Sequence, residues 1–349
     1  MKTNTFSIQN RSQKWDNLKF ILIFLVVLGH VADRFADVSY ATGCLRFIIY
    51  SFHMPAFIFV SGLFGKKNID EKRWNNLASY LVLYLIIHSL IFISRWAANG
   101  TKPAFKLFST SGAAWYILAL FFFSIITMLT KNAKPSALII FWIILACIAG
   151  YDNSIGDFLC LSRVIAYYPF YYLGYILNPK EVEVFFEKRK WQLRIISAIL
   201  LAAGIIIAAV FYDSIKDIKF IFTGRNSYSV IKPNCPYAFT FRLICYAVSA
   251  VMTFCVISLT PSKTPFGHLS RWGAKSLQVY AVHYPLMVLL LKFVSEKYNL
   301  PAYFVSKLPL YEILIAVLIT AVCLLPFWGT ALEKAKGCLR ETLIKSPHS

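Results

Sequence analysis

Charged residues are scarce in this chain, and acidic ones are the scarcest. Only 15% of its 349 residues are Asp, Glu, Lys or Arg, whereas 58% are hydrophobic. A soluble domain carries about 25% charged residues and needs them to cover its surface. The composition therefore excludes a soluble enzyme, a disordered scaffold and a small secreted domain stapled by disulfides. A polytopic membrane protein remains.

The sequence also lacks the usual motifs of metal, nucleotide and redox chemistry. Its eight cysteines form no CxxC pair, and Cys147, Cys245, Cys255 and Cys323 lie inside apolar runs, which favours reduced thiols in a core. No HxxxH spacing, Walker loop or GxGxxG motif is present. We therefore expect no metal site.

Positive charge is in excess, with 36 Lys and Arg against 16 Asp and Glu. In a soluble protein this excess would point to nucleic acid. Here the basic residues form short clusters between apolar runs, which indicates membrane topology and contact with anionic lipid. We expect membrane lipid as a partner and no nucleic acid. A basic patch for a phosphorylated ligand is the alternative.

Ten apolar runs are long enough, or nearly so, to cross a bilayer as helices, and no barrel-type alternation is visible. The predicted fold is an all-α bundle of about ten transmembrane helices. The predicted spans are Asn17–Ala32, Gly43–Phe64, Leu77–Ala97, Gly112–Leu129, Pro135–Tyr151, Leu161–Leu177, Leu193–Tyr212, Tyr237–Leu259, Ser276–Val294 and Pro309–Trp328.

The distribution of Lys and Arg predicts the orientation of the bundle. Loops on the side of the N-terminus hold nearly twice as many Lys and Arg residues as the opposite loops. Because cytoplasmic loops are the richer in Lys and Arg, both termini are predicted to be cytoplasmic. The predicted organisation is a tail over residues 1–16, a membrane domain over 17–330 and a second tail over 331–349. The first run is followed by no cleavage site, so we expect an uncleaved span.

The first span carries ionisable side chains, which are costly in lipid and mark a functional or paired site. Lys19 and His30 are 11 residues apart, so they share one helix face about 16 Å apart. Asp16 precedes Lys19 by one turn on the same stripe. His30 is therefore predicted near the outer end of the span.

The second span repeats this pattern. Arg46, Tyr50 and His53 are spaced i, i+4 and i+7, on one face. Pro55 follows and is predicted to bend the helix and free a nearby carbonyl.

Later spans carry similar polar stripes. Tyr280 and His283 continue one that starts at Ser276, whereas Arg163 and Arg242 begin others. Three His-containing helices predict a polar cavity along the bundle axis, with histidine as the proton acceptor. Arg46 and Arg242 are candidates to hold a developing oxyanion or an anionic acceptor. The competing interpretation is hydrogen bonding between packed helices.

The polar blocks resemble, in order, those of the acyltransferase 3 family, which are membrane-bound acyltransferases that include a fucose 4-O-acetylase-like group. The similar blocks are Asp16-Asn17-Leu18-Lys19 with Val26-Val27-Leu28-Gly29-His30, Phe52-His53-Met54-Pro55-Ala56-Phe57 with Ser61-Gly62, Trp115-Tyr116, Pro169-Phe170 to Gly174, and Ser276-Leu277-Gln278-Val279-Tyr280-Ala281-Val282-His283.

The resemblance implies an O-acetyltransferase of cell-envelope glycans in a bacterial plasma membrane. Acetyl-CoA from the cytoplasm would be the donor, and a sugar hydroxyl of a cell-surface polysaccharide or its lipid-linked precursor the acceptor. His30 would be catalytic, and Lys19 would help to bind the donor or to order the site. One departure concerns the Arg-x-x-Arg pair of some members, where this chain has Lys66-Lys67 and Lys72-Arg73.

These considerations give three sets of candidate residues. The catalytic set is His30, Lys19, Asp16, His53 and Arg46; the substrate-binding set is Arg163, Arg242, Tyr280, His283 and Trp115; the donor-binding set is Lys19, Lys66, Lys67 and Arg73.

Alternatives concern the role of His30 in the reaction and the class of the protein. His30 acts either as a general base or as a transiently acetylated residue. A proton-coupled transporter or flippase of a glycan or amino acid would instead use His30, His53 and His283 to relay protons. A non-catalytic membrane sensor or assembly factor is the third hypothesis.

Overall fold

The structure, a computed structural model, describes residues 12–37, 39–109, 112–264, 267–298 and 309–344, and most of these residues are helical. These residues contain no β-strand, only an isolated bridge between Ser109 and Phe158. The helices are α1 (Gln13–Phe35), α2 (Tyr40–Asp70), α3 (Trp74–Asn99), α4 (Trp115–Leu129), α5 (Pro135–Ala149), α6 (Leu161–Ile176), α7 (Pro179–Lys188), α8 (Lys190–Ile215), α9 (Lys219–Phe222), α10 (Phe239–Leu259), α11 (His268–Gly273), α12 (Ser276–Tyr298), α13 (Pro309–Cys323) and α14 (Pro326–Ile344).

Five stretches among the described residues are long and apolar enough to cross a membrane. They comprise α2, α3, the region from α8 to α9, α10 and α12, and the bent pair α13–α14 would be a sixth. Helices α4 and α5 are apolar but have only 15 residues each. The all-helical, multi-pass membrane class is therefore confirmed.

The predicted tenth span, Pro309–Trp328, is wrong as a single helix. Helix α13 ends at Cys323, and α14 starts at Pro326 with a bend of 58°. Proline has no backbone N–H and disfavours helical geometry in the residue before it, so it ends one helix and starts the next. The predicted domain boundary at residue 330 falls within α14. Residues 1–11 and 345–349 of the predicted tails lie outside the described residues.

Helix α2 is the centre of the bundle and packs against α1, α6 and α10. Its contact with α6 is the closest. A Cβ atom on Gly62 would lie 1.9 Å from the carbonyl oxygen of Tyr171, and one on Gly174 would lie 2.1 Å from that of Phe59. Only glycine allows two helix backbones to approach this closely.

The proline in α2 leaves a carbonyl free, as predicted. Pro55 has no N–H to donate to the carbonyl of Ser51 four residues earlier. The hydroxyl of Ser249 on α10 donates to that oxygen over 2.5 Å. The carbonyl that Pro55 leaves free in α2 is therefore hydrogen-bonded by a side chain of α10. The cysteines predicted to lie in the core, Cys147, Cys245, Cys255 and Cys323, are buried and form no disulfide.

Candidate active site

A cavity of about 440 Å³ opens at the end of the bundle where α1 ends and α2 begins. It is lined from α1, α2, α4, α6, α12 and the connector that contains α9. The lining residues are His30, Asp33, Arg34, Tyr50, His53, Met54, Gly112, Trp115, Arg163, Tyr167, Lys219, Phe220, Thr223, Arg225, Asn226, Tyr284 and Met287. The structure thus brings His30, His53, Arg163 and Trp115 of the predicted site together.

His30 lies in the wall of this cavity among aromatic rings. Its ring stacks on that of His283, with centroids 5.4 Å apart, and the ring of Tyr284 meets it edge-on at 5.3 Å. His53 packs edge-on against Tyr50 at 5.1 Å. The predicted histidines of α1, α2 and α12 therefore come together at one end of the bundle.

Backbone hydrogen bonds determine the tautomers of two of these rings. Nδ1 of His53 lies 2.6 Å from the carbonyl oxygen of Ile49, and Nδ1 of His283 lies 2.8 Å from that of Tyr280. A carbonyl oxygen only accepts, so each Nδ1 carries the hydrogen and each Nε2 keeps its lone pair. Nε2 of His283 is buried and has no hydrogen-bond partner among the described residues.

A stack of one cation and two aromatic rings forms the side of the cavity. The guanidinium of buried Arg163 lies 5.0 Å above the ring of Trp115, which stacks on Tyr167 at 5.6 Å. Arg163 also pairs with Asp157 at 3.3 Å. The Tyr167 hydroxyl donates to the carbonyl oxygen of Phe222 over 2.5 Å, which attaches α9 to α6. The stack offers a flat apolar surface beside a fixed positive charge.

Arg46, predicted to be catalytic, lies behind the cavity rather than in its wall. It pairs with Asp33 at 3.1 Å and with Asp37 at 3.6 Å. Asp33 is shared with Lys219, whose ammonium lies 4.0 Å away. Arg46 lines a neighbouring cavity of about 400 Å³ instead. Its charge is therefore paired with carboxylates, and its predicted catalytic role stays a prediction.

Three predicted substrate-binding residues, Arg242, Tyr280 and His283, do not line the His30 cavity either. Arg242 donates from Nη1 to the carbonyl oxygen of Ile221 over 2.6 Å, which fixes α9 against α10. Tyr280 is buried between Tyr116 and His283, with ring centroids at 5.1 and 5.9 Å. All three residues lie behind the cavity wall.

The remaining candidates lie at the opposite end of the bundle, where α1 begins and α2 ends. Lys19 lies 3.6 Å from the carboxylate of Asp16, and its ammonium is 4.4 Å from the ring centroid of Phe64. The close approach of Gly273 to the carbonyl of Asp16 fixes α11 against this end of α1, since a Cβ there would lie 1.8 Å from that oxygen. These residues are separated from His30 by three helical turns.

The predicted donor-binding residues at the end of α2 and the start of α3 are on the surface at this same end. Lys66 and Lys67 are exposed, and the ammonium of Lys66 lies 5.9 Å from the ring centroid of Tyr175. Arg73 donates from Nε to Glu71 over 2.6 Å. They form a basic surface at the end of the bundle that holds Lys19.

Several residues of the cavity were not predicted from the sequence. Asp33 and Arg34 follow His30 by one turn, and Tyr284 is next to His283. Their position beside predicted site residues was the signal that could have identified them. Lys219 and Arg225 come from an irregular connector whose folding back onto the site has no sequence signature. Among the described residues, no three His, Cys, Asp or Glu side chains come together as metal ligands would.

A multi-pass helical bundle with a histidine exposed to a polar cavity fits a membrane acyltransferase. The family profile described as an acyltransferase domain, acyltransferase 3, matches residues 13–328, nearly the whole chain. The chain therefore belongs to the acyltransferase 3 family, as its sequence blocks predicted. No curated protein and no solved structure matches it significantly.

Proposed function

We propose that this acyltransferase moves an acetyl group from cytoplasmic acetyl-CoA to a sugar hydroxyl of a cell-surface polysaccharide or its lipid-linked precursor. In this proposal the bundle has ten spans in a bacterial plasma membrane, with both termini in the cytoplasm. The observation that carries it is the position of His30, whose imidazole faces a polar cavity large enough for a sugar ring.

The proposed reaction uses His30 as a general base. Its free nitrogen takes the proton of the sugar hydroxyl while the hydroxyl oxygen attacks the thioester carbonyl. The carbon–sulfur bond then breaks, and the proton passes to the departing thiolate, which leaves as free coenzyme A. In the acyl-histidine variant, the His30 nitrogen attacks first and coenzyme A leaves before the hydroxyl takes over the acetyl group.

The donor would enter at the end of the bundle that holds Lys19. Coenzyme A carries phosphates, and Lys66, Lys67 and Arg73 supply positive charge on that surface. Asp16 holds Lys19 in place there. Trp115 and Arg163 would bind the acceptor at the other end, with His53 lining the cavity near His30.

The test compares the O-acetyl content of envelope glycans, by NMR, in wild-type, deletion, His30→Ala and His268→Gln cells. General-base loss costs about 10² to 10⁴ in rate, so His30→Ala should match the deletion. His268 lies on α11 at the other end of the bundle and is the matched control. Unchanged acetylation in His30→Ala cells would refute the proposal and favour a sensor or assembly factor.

A second measurement separates the mechanisms and the rival activity. Purified protein is mixed rapidly with acetyl-CoA alone, and the release of coenzyme A is followed. A burst of about one equivalent per protein without acceptor supports the covalent route, and no burst, together with normal turnover once acceptor is added, supports the general base. Substrate movement across proteoliposomes without consumption of acetyl-CoA would instead identify a transporter.

A further inference from the structure

The His30 cavity has more positive than negative charge in its wall. Four basic side chains line it, namely Arg34, Arg163, Lys219 and Arg225, against the single carboxylate of Asp33. Behind the wall, Asp157 pairs with both Arg163 and Arg225. Counting both carboxylates, the wall keeps a surplus of two positive charges.

The neighbouring cavity does not share this surplus. The neighbouring cavity is lined by three Asp and three basic residues, so it carries no surplus of its own. Arg34 is exposed at the mouth of the His30 cavity and makes no ion pair with a described residue. Arg95 adds further charge close by, since its guanidinium lies 3.2 Å from the Tyr284 hydroxyl at the cavity wall.

The position of these charges is fixed by packing. Arg163 is buried, lies above Trp115 and is held by Asp157. The connector that carries Lys219 and Arg225 is pressed onto α6 at Gly224, where a Cβ would lie 3.0 Å from the ring of Tyr167. Gly224 also has φ of 65°, which favours glycine. The packing therefore holds Arg163 and the connector with Lys219 and Arg225 beside the cavity, where several like charges in one concave site attract a counter-ion more strongly than scattered surface charges do.

From this arrangement, and resting on the proposed function, we infer that the acceptor is an anionic sugar. Its carboxylate or phosphate would be bound by basic side chains of the cavity wall, including Arg225, its ring would lie beside Trp115, and its reactive hydroxyl would reach His30. Arginine forks suit both anions, because each presents paired oxygens. The two sources are an acidic sugar in the glycan and a sugar phosphate of the lipid-linked precursor.

The inference is tested by binding to the purified full chain in nanodiscs, followed by saturation-transfer difference NMR. Glucuronate and glucose 1-phosphate are the anionic probes, and glucose is the neutral reference. We expect at least one anion to bind about tenfold more tightly than glucose, and its binding to weaken as NaCl is added. Preference for glucuronate indicates the acidic sugar, and preference for glucose 1-phosphate indicates the sugar phosphate.

Variants assign the effect to the cavity. Arg225→Gln removes one charge of the surplus and should weaken anion binding about tenfold while glucose binding is unchanged. Arg189→Gln, an exposed arginine just after α7, is the matched control and should change neither. Glucose binding as tightly as both anions, or anion binding indifferent to Arg225→Gln, overturns the inference.

The proposed function and the anion site can be refuted independently of each other. His30→Ala protein should bind the anion as the wild type does while losing acyl transfer. Anion binding without any acetyl transfer by the wild type would refute the function and leave the anion site. Acetyl transfer to neutral sugars alone would refute the anion site and leave the function.

Discussion

The hydrogen bond from Ser249 to the carbonyl of Ser51 offers a sharp test of how the bundle is held together. The bond exists because Pro55 cannot donate to that carbonyl, and it joins α10 to α2 two residues before His53. Ser249→Ala removes the donor and leaves a buried acceptor alone. Hydrogen bonds between membrane helices average about 0.6 kcal/mol and reach about 1.7 kcal/mol. Because Ser249 is buried and its bond is short, we expect a loss of stability near that upper limit, about 1.5 kcal/mol.

The partner substitution is Pro55→Ala, which restores an N–H able to satisfy Ser51 within α2. In that background, Ser249→Ala should cost close to nothing, so the double-mutant coupling should equal most of the single-mutant loss. Stability is measured by equilibrium unfolding of the purified protein in mixed micelles of dodecyl maltoside and sodium dodecyl sulfate.

The matched control is Ser258→Ala on the same helix. Ser258 is equally buried, but its hydroxyl has no hydrogen-bond partner among the described residues. Its removal should be neutral or slightly stabilising. Equal costs for Ser249→Ala and Ser258→Ala, or an unchanged cost of Ser249→Ala beside Pro55→Ala, would refute the assignment.

Three more predictions concern packing, pH and the cavity. Gly62→Ala should push α2 from α6 and cost about 1–3 kcal/mol or abolish folding, as judged by monodispersity and thermal unfolding, whereas Gly337→Ala, with no neighbour within 4 Å, should be tolerated. The pKa of Glu187 on α7 is lowered chiefly by the hydroxyl of Ser262, which donates to it, and also by nearby positive charge. Its stabilising effect should be complete above the unfolded-state pKa of about 4.3 and be lost as pH falls towards the lower folded-state value, so wild type and Glu187→Gln should converge in stability in acid. Arg242→Gln frees α9 and should raise the acceptor KM several-fold with a smaller effect on kcat; a reversed pattern in steady-state kinetics would contradict its supporting role.

The helix spacing of polar residues predicted which side chains share a face. The stripes that end in His30, His53 and His283 do converge, because side chains three or four positions apart share a face and costly polar faces turn inwards from lipid. The same spacing could not distinguish Arg163, which reaches the cavity, from Arg242, which holds a backbone carbonyl. A polar stripe predicts which face of a helix is buried, but it does not predict which residues that face contacts.

The membrane class and the helical fold can be predicted from the sequence alone, because a chain this apolar can satisfy its backbone in lipid only within helices or closed barrels. The family was predicted from the resemblance of its sequence blocks, among them the one that ends in His30. Helix packing, in contrast, brings Lys219 and Arg225 from a connector to the His30 cavity and turns Arg46 to Asp33. Contacts between residues far apart in the chain depend on how the helices pack and where the connectors fold. The local spacing of residues predicts neither.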